Sequence, residues 1–186
     1  DFLNLFAKVK AHEHLINLGI GEDGRDHYTT VKRFKQEAKM LERAEALSLK
    51  FSHKVNKKFV EQKIEKYGLN ASQAKALKAI MLGGDLSLVI GKAGTGKTYM
   101  MKVAKELWEE AGFKVHGISL SGIAAEGLEN EAGIKSHTIH AFKYRLERGY
   151  LKLDANDIVV MDEAGMTDSD DMAILVNAIS KAGAKL

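Results

Sequence analysis

Two short runs of residues carry chemistry. Gly91-Lys92-Ala93-Gly94-Thr95-Gly96-Lys97-Thr98 satisfies the pattern G-x-x-x-x-G-K-[ST] at every fixed position. Glycines let a backbone wrap until successive N–H groups converge on an anion. A helix that starts at the end of such a loop adds a partial positive charge at the same point. In that arrangement Lys97 reaches the β- and γ-phosphates of a nucleoside triphosphate, and Thr98 holds Mg²⁺. The second run, Ile158-Val159-Val160-Met161-Asp162-Glu163, ends an apolar stretch in two carboxylates, Asp162 lying 65 positions after Lys97. Asp162 is the candidate Mg²⁺ partner and Glu163 the candidate base for water. Taken alone, the same pair also reads as the N-cap of a helix.

The elements that must position these residues are legible as alternating patterns. Leu86–Ile90 is a short apolar run ending in glycine, followed by a helical pattern over Gly96–Ala111. Lys114–Leu120 reads as a second strand, Ile123–Asn130 as a helix, and His137–Arg148 as another. Ile158–Met161 is a third strand and Asp168–Lys181 a last helix. Strands alternating with helices imply a parallel α/β sheet, whose carboxyl edge is where ligands bind. Ahead of it, Tyr28–Phe51 reads as an amphipathic helix with Val31, Phe34, Ala38, Leu41, Ala44 and Ser48 on one face and Thr29 or Thr30 as its cap. Ser52 is the expected cap of a second helix that stops at Gly68, and Ser72–Leu82 is a third, ending at Gly83-Gly84. Gly19–Asp26 reads as a loop. These patterns divide the chain into a helical segment, 1–68, and a P-loop domain, 69–186.

At this point the motifs resemble a family. Asp162-Glu163-Ala164-Gly165-Met166 is similar to the Walker B motif of RecD-like superfamily-1 DNA helicases. Ser119-Leu120-Ser121-Gly122-Ile123-Ala124-Ala125-Glu126-Gly127-Leu128 with Thr138-Ile139-His140 resembles the single-strand-contacting motifs of that family. The likeness is greatest to the helicase region of TraA-type conjugative-transfer relaxases, in which a nicking relaxase domain precedes a RecD-like motor. The resemblance implies a RecA-like fold, ATP and Mg²⁺ as cofactors, and single-stranded DNA as partner. It implies that Gln73 reads the adenine, and that Ser121, Gly122, Thr138 and His140 lie against DNA. Where the family often carries Ala-Pro-Thr-Gly this sequence has Ser119-Leu120-Ser121-Gly122, in which Ser121 keeps a hydroxyl for a phosphate. The family continues beyond the position of Leu186 with a glutamine-bearing sensor motif and a second RecA-like domain carrying an arginine finger. The sensor strand, inserted there between the Walker B and P-loop strands, would begin at about Ala184. The resemblance therefore implies an incomplete sheet, marginal folding and little hydrolysis by these residues alone.

Composition sets the outer bounds. Hydrophobic residues make up 45% of 186, enough for a core. No apolar run reaches the length of a membrane span, and the first ten residues lack the pattern of a secretory signal. The absence of cysteine fits a reducing cytoplasm. The chain opens on Asp1 rather than Met, which predicts an upstream segment. The net charge of +3 is too small to argue for nucleic acid by itself, and its excess sits in residues 1–68, where a solvated helix face accounts for it equally well. His12-Glu13-His14 lacks the hydrophobic middle residue of a relaxase histidine pair, and His137 with His140 lacks a third metal ligand. Phe142 and Tyr144 beside Lys143 and Arg145 suit either base stacking or core packing. Two functions from different classes remain: the first domain of an ATP-driven DNA helicase in conjugation, or a non-catalytic remnant that binds nucleotide or DNA.

Overall fold

The computed structural model describes residues 1–92 and 94–186. Its centre is a parallel sheet of β3 (Lys114–Ser119), β4 (Ser136–Thr138) and β5 (Asp157–Met161) in the order β4-β3-β5. Register is set by pairs such as Ser119 with Thr138 and Gly117 with Val160. The backbone of Lys185 extends this sheet past β5: it accepts from Val159 N at 2.8 Å and donates to Asp157 O at 3.1 Å. Leu186 then pairs outward, donating to Asp85 O at 2.8 Å and accepting from Ser87 N at 3.0 Å.

Both faces of the sheet are covered, and the two-residue period of β5 distributes its side chains between them. Ile158 and Val160 enter a core with Val60, Leu77, Val103, Leu107 and Trp108. This core gathers α3 (Lys57–Lys66), α4 (Ala71–Leu82), α5 (Lys97–Glu110) and α6 (Gly122–Ala132). Val159 faces the other way, into a core with Leu47, Ile118, Phe142, Leu175 and Ile179, formed by α2 (Val31–Ser48), α7 (Ile139–Glu147) and α8 (Ser169–Ala182). Cores on both faces are the reason β5 reads as an unbroken apolar run rather than an alternating one. The α/β parallel architecture expected from the motif order is the one observed.

Local signals explain most boundaries. Thr30 caps α2 by accepting from Arg33 N at 3.2 Å, Gly83 ends α4, and Asp168 caps α8. Several readings need correction. Gly19–Asp26 is not simply a loop: it belongs to an antiparallel hairpin of β1 (Leu15–Ile20) and β2 (Asp26–Thr30), which claims Tyr28 from the expected helix. The 1–68 segment is therefore not wholly helical. Ser52 does not cap α3; Asn56 does, accepting from Lys58 N at 2.9 Å, while Ser52 N is bound by the buried Asp85 carboxylate. The face of α2 that packs is Met40, Ala44 and Leu47, and Phe34 and Leu41 stay exposed. His137 and Thr138 lie in β4 rather than on a helix.

The largest departure is Leu86–Ile90, which forms no strand. Its start is anchored through Asp85, buried beneath the turn after α2. That carboxylate accepts from Ser52 N and His53 N, and His53 Nδ1 lies 2.9 Å from Asp85 Oδ1. A Cβ on Gly84 would collide with Ser48 O, so only glycine permits this close approach. After Ser87, Leu88, Val89 and Ile90 make no backbone hydrogen bond among the described residues.

Candidate nucleotide site

The glycine-rich loop runs from the end of this anchored segment into α5. Gly94 and Gly96 have φ of +77° and +76°, left-handed values at which a side chain is strained. Gly96 stands at the N-cap of α5, so the free N–H groups of its first turn are left without a side-chain cap. Thr95 Oγ1 donates to Lys92 O at 2.8 Å and closes the loop on itself. Lys97 Nζ donates to Gly91 O at 2.7 Å and Lys92 O at 3.0 Å. No carboxylate pairs with Lys97 among the described residues, so its positive charge is offset only by carbonyl dipoles. A Cβ on Gly91 would come within 3.1 Å of Thr95 Oγ1. A backbone cradle, a helix N-terminus and an ammonium with no counter-charge together fit a phosphate chain. Thr98 lies half-buried in the first turn of α5. Ala93 falls outside the described residues.

Gln73 joins this group from α4. Asn70 accepts from Gln73 N at 3.0 Å while Gln73 Oε1 accepts from Asn70 N at 3.1 Å, a reciprocal capping box. The other end of the same amide, Gln73 Nε2, donates to Thr95 O at 3.2 Å. Between them Asn70, Ala71, Ser72, Gln73, Gly94, Thr95 and Gly96 line an open hollow of about 520 Å³. The structure therefore brings Gln73, Gly91, Lys92, Thr95, Gly96 and Lys97 into one hydrogen-bonded unit, with Gly94 lining the hollow beside it. The capping partner Asn70 escaped the sequence reading, although the Asn-x-x-Gln spacing marks such a box.

The acidic pair lies at the carboxyl end of β5. Asp162 N donates to Ile118 O at 2.9 Å, the last rung of the ladder to β3. Glu163 N donates to Asp162 Oδ1 at 3.0 Å. Glu163 has φ +55°, the one positive value at a non-glycine residue among those described. Its carbonyl accepts from Met166 N in the short 3₁₀ turn Ala164–Met166, which holds the strained backbone in place. No hydrogen bond joins Thr98 to Asp162 among the described residues. Glu163 stands at the N-cap position of that 3₁₀ turn, without a side-chain cap bond, and the cap of α8 is Asp168.

A second region lies at the same edge of the sheet. Ser121 Oγ caps α6 by accepting from Ala124 N at 3.1 Å, and Thr138 Oγ1 caps α7 by accepting from Ala141 N at 3.2 Å. Gly122 and Thr138 line a hollow of about 470 Å³ with Glu126, Glu129, Ser136 and His137. His140 is exposed. Burial, with the nearby Arg145 and Lys135 charges, holds the His137 imidazole below its usual range. Phe142 is fully buried, which decides between its two readings in favour of core packing. Tyr144 is exposed, 6.2 Å from the Tyr150 ring, with Arg148 over its face at 5.5 Å. The His12 and His14 rings lie 5.0 Å apart, tilted by 50°, but no set of three metal-ligating side chains occurs among the described residues. No helix among the described residues is long and apolar enough to cross a membrane.

Comparison with known proteins agrees with the motifs. The model of a family described as an AAA domain matches residues 68–186. The conjugal transfer protein TraA of Agrobacterium fabrum (strain C58 / ATCC 33970) is 41% identical over 179 residues, 96% of this chain and 16% of that protein. The probable conjugal transfer protein TraA of Sinorhizobium fredii (strain NBRC 101917 / NGR234) is 45% identical over 160 residues, 86% of this chain and 14% of that protein. A TraA of Rhizobium radiobacter is 37% identical over 179 residues. The chain thus spans 14–16% of the length of these relatives. With more than half of its length matched, the chain belongs to the family described as an AAA domain.

Proposed function

We propose that this chain is the ATP-binding motor domain of a DNA helicase acting on single-stranded DNA in conjugative transfer. The observation that carries the nucleotide reading is the Lys97 ammonium, held inside the glycine loop on two carbonyls with no carboxylate opposite it. Similarity to conjugal transfer proteins supports the setting. In this reading the loop N–H groups and Lys97 grip the triphosphate, and Gln73 faces the adenine. Thr98 and Asp162 hold Mg²⁺, which when bound neutralises charge on the phosphate oxygens. Glu163 accepts the proton of the attacking water. Ser121, Gly122, Thr138 and His140 contact the DNA backbone. Hydrolysis at a useful rate further requires an arginine from a second RecA-like domain, a contribution worth about 10³–10⁵ in rate.

Calorimetry with ATP and Mg²⁺ tests the core of this proposal. Lys97→Ala is expected to weaken binding strongly, and equal affinity in variant and parent would sink the assignment. Single-strand binding is expected to be weak, to fall steeply with salt and to show little sequence preference, because a motor grips the backbone. Tight binding to one sequence only would contradict it. A second reading, a remnant that binds nucleotide without turnover, is favoured by the exposed segment Leu88–Ile90 that leads into the loop. DNA-stimulated hydrolysis, abolished by Glu163→Gln, separates the motor from the remnant.

A further inference from the structure

The hollow beside the phosphate loop is closed by a circuit of contacts in which Tyr99 is one link. Tyr99 stands in the first turn of α5, two residues after Lys97, and its hydroxyl donates to Tyr67 O at 3.1 Å. Tyr67 is the C-cap of α3, and Gly68 follows it at φ +59°. Two residues further on, Asn70 opens α4 and fixes Gln73 through the capping box. Gln73 Nε2 returns to Thr95 O at 3.2 Å, immediately before α5. The path from α5 through Tyr99, Tyr67, Asn70 and Gln73 back to the loop is therefore closed. A second tie runs parallel to it two turns along α5, on the same side of that helix. There Tyr67 Oη donates to Glu106 at 2.7 Å, and Lys63 reaches Glu106 at 2.8 Å. The two tyrosine rings meet edge to face at 6.3 Å.

We infer that Tyr99 is a positioning residue for base recognition: its hydroxyl holds the α3–α4 turn at the height that sets Gln73 over the phosphate loop. This rests on the nucleotide reading above and adds to it a group that touches no ligand. Lys97 binds phosphates wherever Gln73 stands, because its own partners are Gly91 and Lys92. Gln73 can serve a base only if its amide is held at the hollow, and the capping box fixes it to α4 rather than to α5. Its own bond to Thr95 O ties it to the loop, and the Tyr99 hydroxyl adds a second tie, between the turn ahead of α4 and α5 itself. Because the Tyr67–Glu106–Lys63 tie remains, removing that hydroxyl shifts the turn without unfolding it.

The test is Tyr99→Phe, with Mg²⁺ and three probes: ATP, GTP and inorganic tripolyphosphate. The variant is expected to lose about two- to tenfold in ATP affinity, the effect of one hydrogen bond. Its preference for ATP over GTP should shrink by the same factor, while tripolyphosphate affinity stays at the parent value and the thermal midpoint falls by no more than about 4 °C. In a Gln73→Ala background the same substitution should have no further effect, since the two act through one path. An unchanged ATP-to-GTP preference in Tyr99→Phe overturns the inference. So does equal weakening of all three probes, and so does a parent that binds ATP and GTP alike. A parent that binds neither ATP nor tripolyphosphate would instead sink the nucleotide reading itself.

Discussion

Leu86–Ile90 and Asp157–Met161 are two short apolar runs, each leading straight into residues that carry chemistry, and only one of them is a strand. β5 has a full ladder to β3 on one side and the backbone of Lys185 on the other. Its residues 157–160 are buried. Leu86–Ile90 has Leu186 beside Ser87 and then no backbone partner among the described residues, and Leu88 and Ile90 are 80% and 98% exposed. The two runs do not differ enough in composition to explain this. A strand forms where neighbours supply both hydrogen-bond partners and side-chain contacts, so β-propensity states what a segment tolerates rather than what it becomes.

The comparison is broken or upheld first by truncating one side chain in each run. Ile158 is 1% exposed in the core of α3 to α6, so Ile158→Ala is expected to destabilise by about 2–5 kcal/mol. Ile90→Ala removes a side chain already in water and is expected to change stability by no more than about 0.5 kcal/mol. Denaturant midpoints of the two variants decide it. Comparable losses would mean that Leu86–Ile90 is a packed strand in solution and that the contrast does not hold.

How much of this was legible in the sequence follows the same division. Features set by neighbouring residues were readable: a threonine cap at 29 or 30, the Gly83 stop, the strand of β5 and a helix over Asp168–Lys181, whose first residue proves to be its cap. Features set by distant partners were not. No local pattern says that Asp85 will bind Ser52 and His53 across 32 or 33 positions, and that contact is what moved the start of α3 away from Ser52. Nor does periodicity say which face of α2 has a neighbour. Phe34, Ala38 and Leu41 form as good an apolar row as Met40, Ala44 and Leu47, but only the latter meets α8. Among the proposed site residues, Lys97 and the glycines follow from spacing alone, whereas Gln73 needed the family likeness and Tyr99 the structure.

Lys185 sits between the two runs and gives a pH test of their junction. Its side chain is 2% exposed and its ammonium donates to Gly84 O. Burial pushes its pKa from 10.5 down to about 8, against the opposing pull of the Asp85 charge. The folded protein therefore releases this proton at a lower pH than the unfolded chain does. Below about pH 8 the buried charge penalises folding in full, and the penalty lifts as pH rises from about 8 towards 10.5. Its size over that window is on the order of 3 kcal/mol. Denaturation of the parent and Lys185→Met at about pH 7.5 and about pH 10 should show the parent gaining relative to the variant. A constant difference between them would show that the lysine is not buried where the runs join.

The smallest effect concerns how each run turns at its end. The loop after Leu86–Ile90 meets its left-handed positions with glycine, at Gly94 and Gly96. The turn after β5 meets one, at φ +55°, with Glu163. A left-handed residue with a Cβ costs about 1–2 kcal/mol, a penalty that Gly94 and Gly96 avoid. Fold stability alone would favour glycine at 163 as well, so the carboxylate stands there at a local conformational cost. Such strain persists where the surroundings hold it, here the Asp162 side chain on Glu163 N and the Met166 N–H on its carbonyl. Glu163→Gly is therefore expected to raise stability, by about 1 kcal/mol or less, since glycine also loosens the unfolded chain. Glu163→Ala keeps the strain and should not. If the carboxylate serves as the base, both variants lose hydrolysis alike in whatever form of the protein turns over, while differing in stability. A Glu163→Gly protein less stable than Glu163→Ala would show that the left-handed turn does not exist in solution, and with it the contrast between a glycine-relieved loop and a strained acidic one.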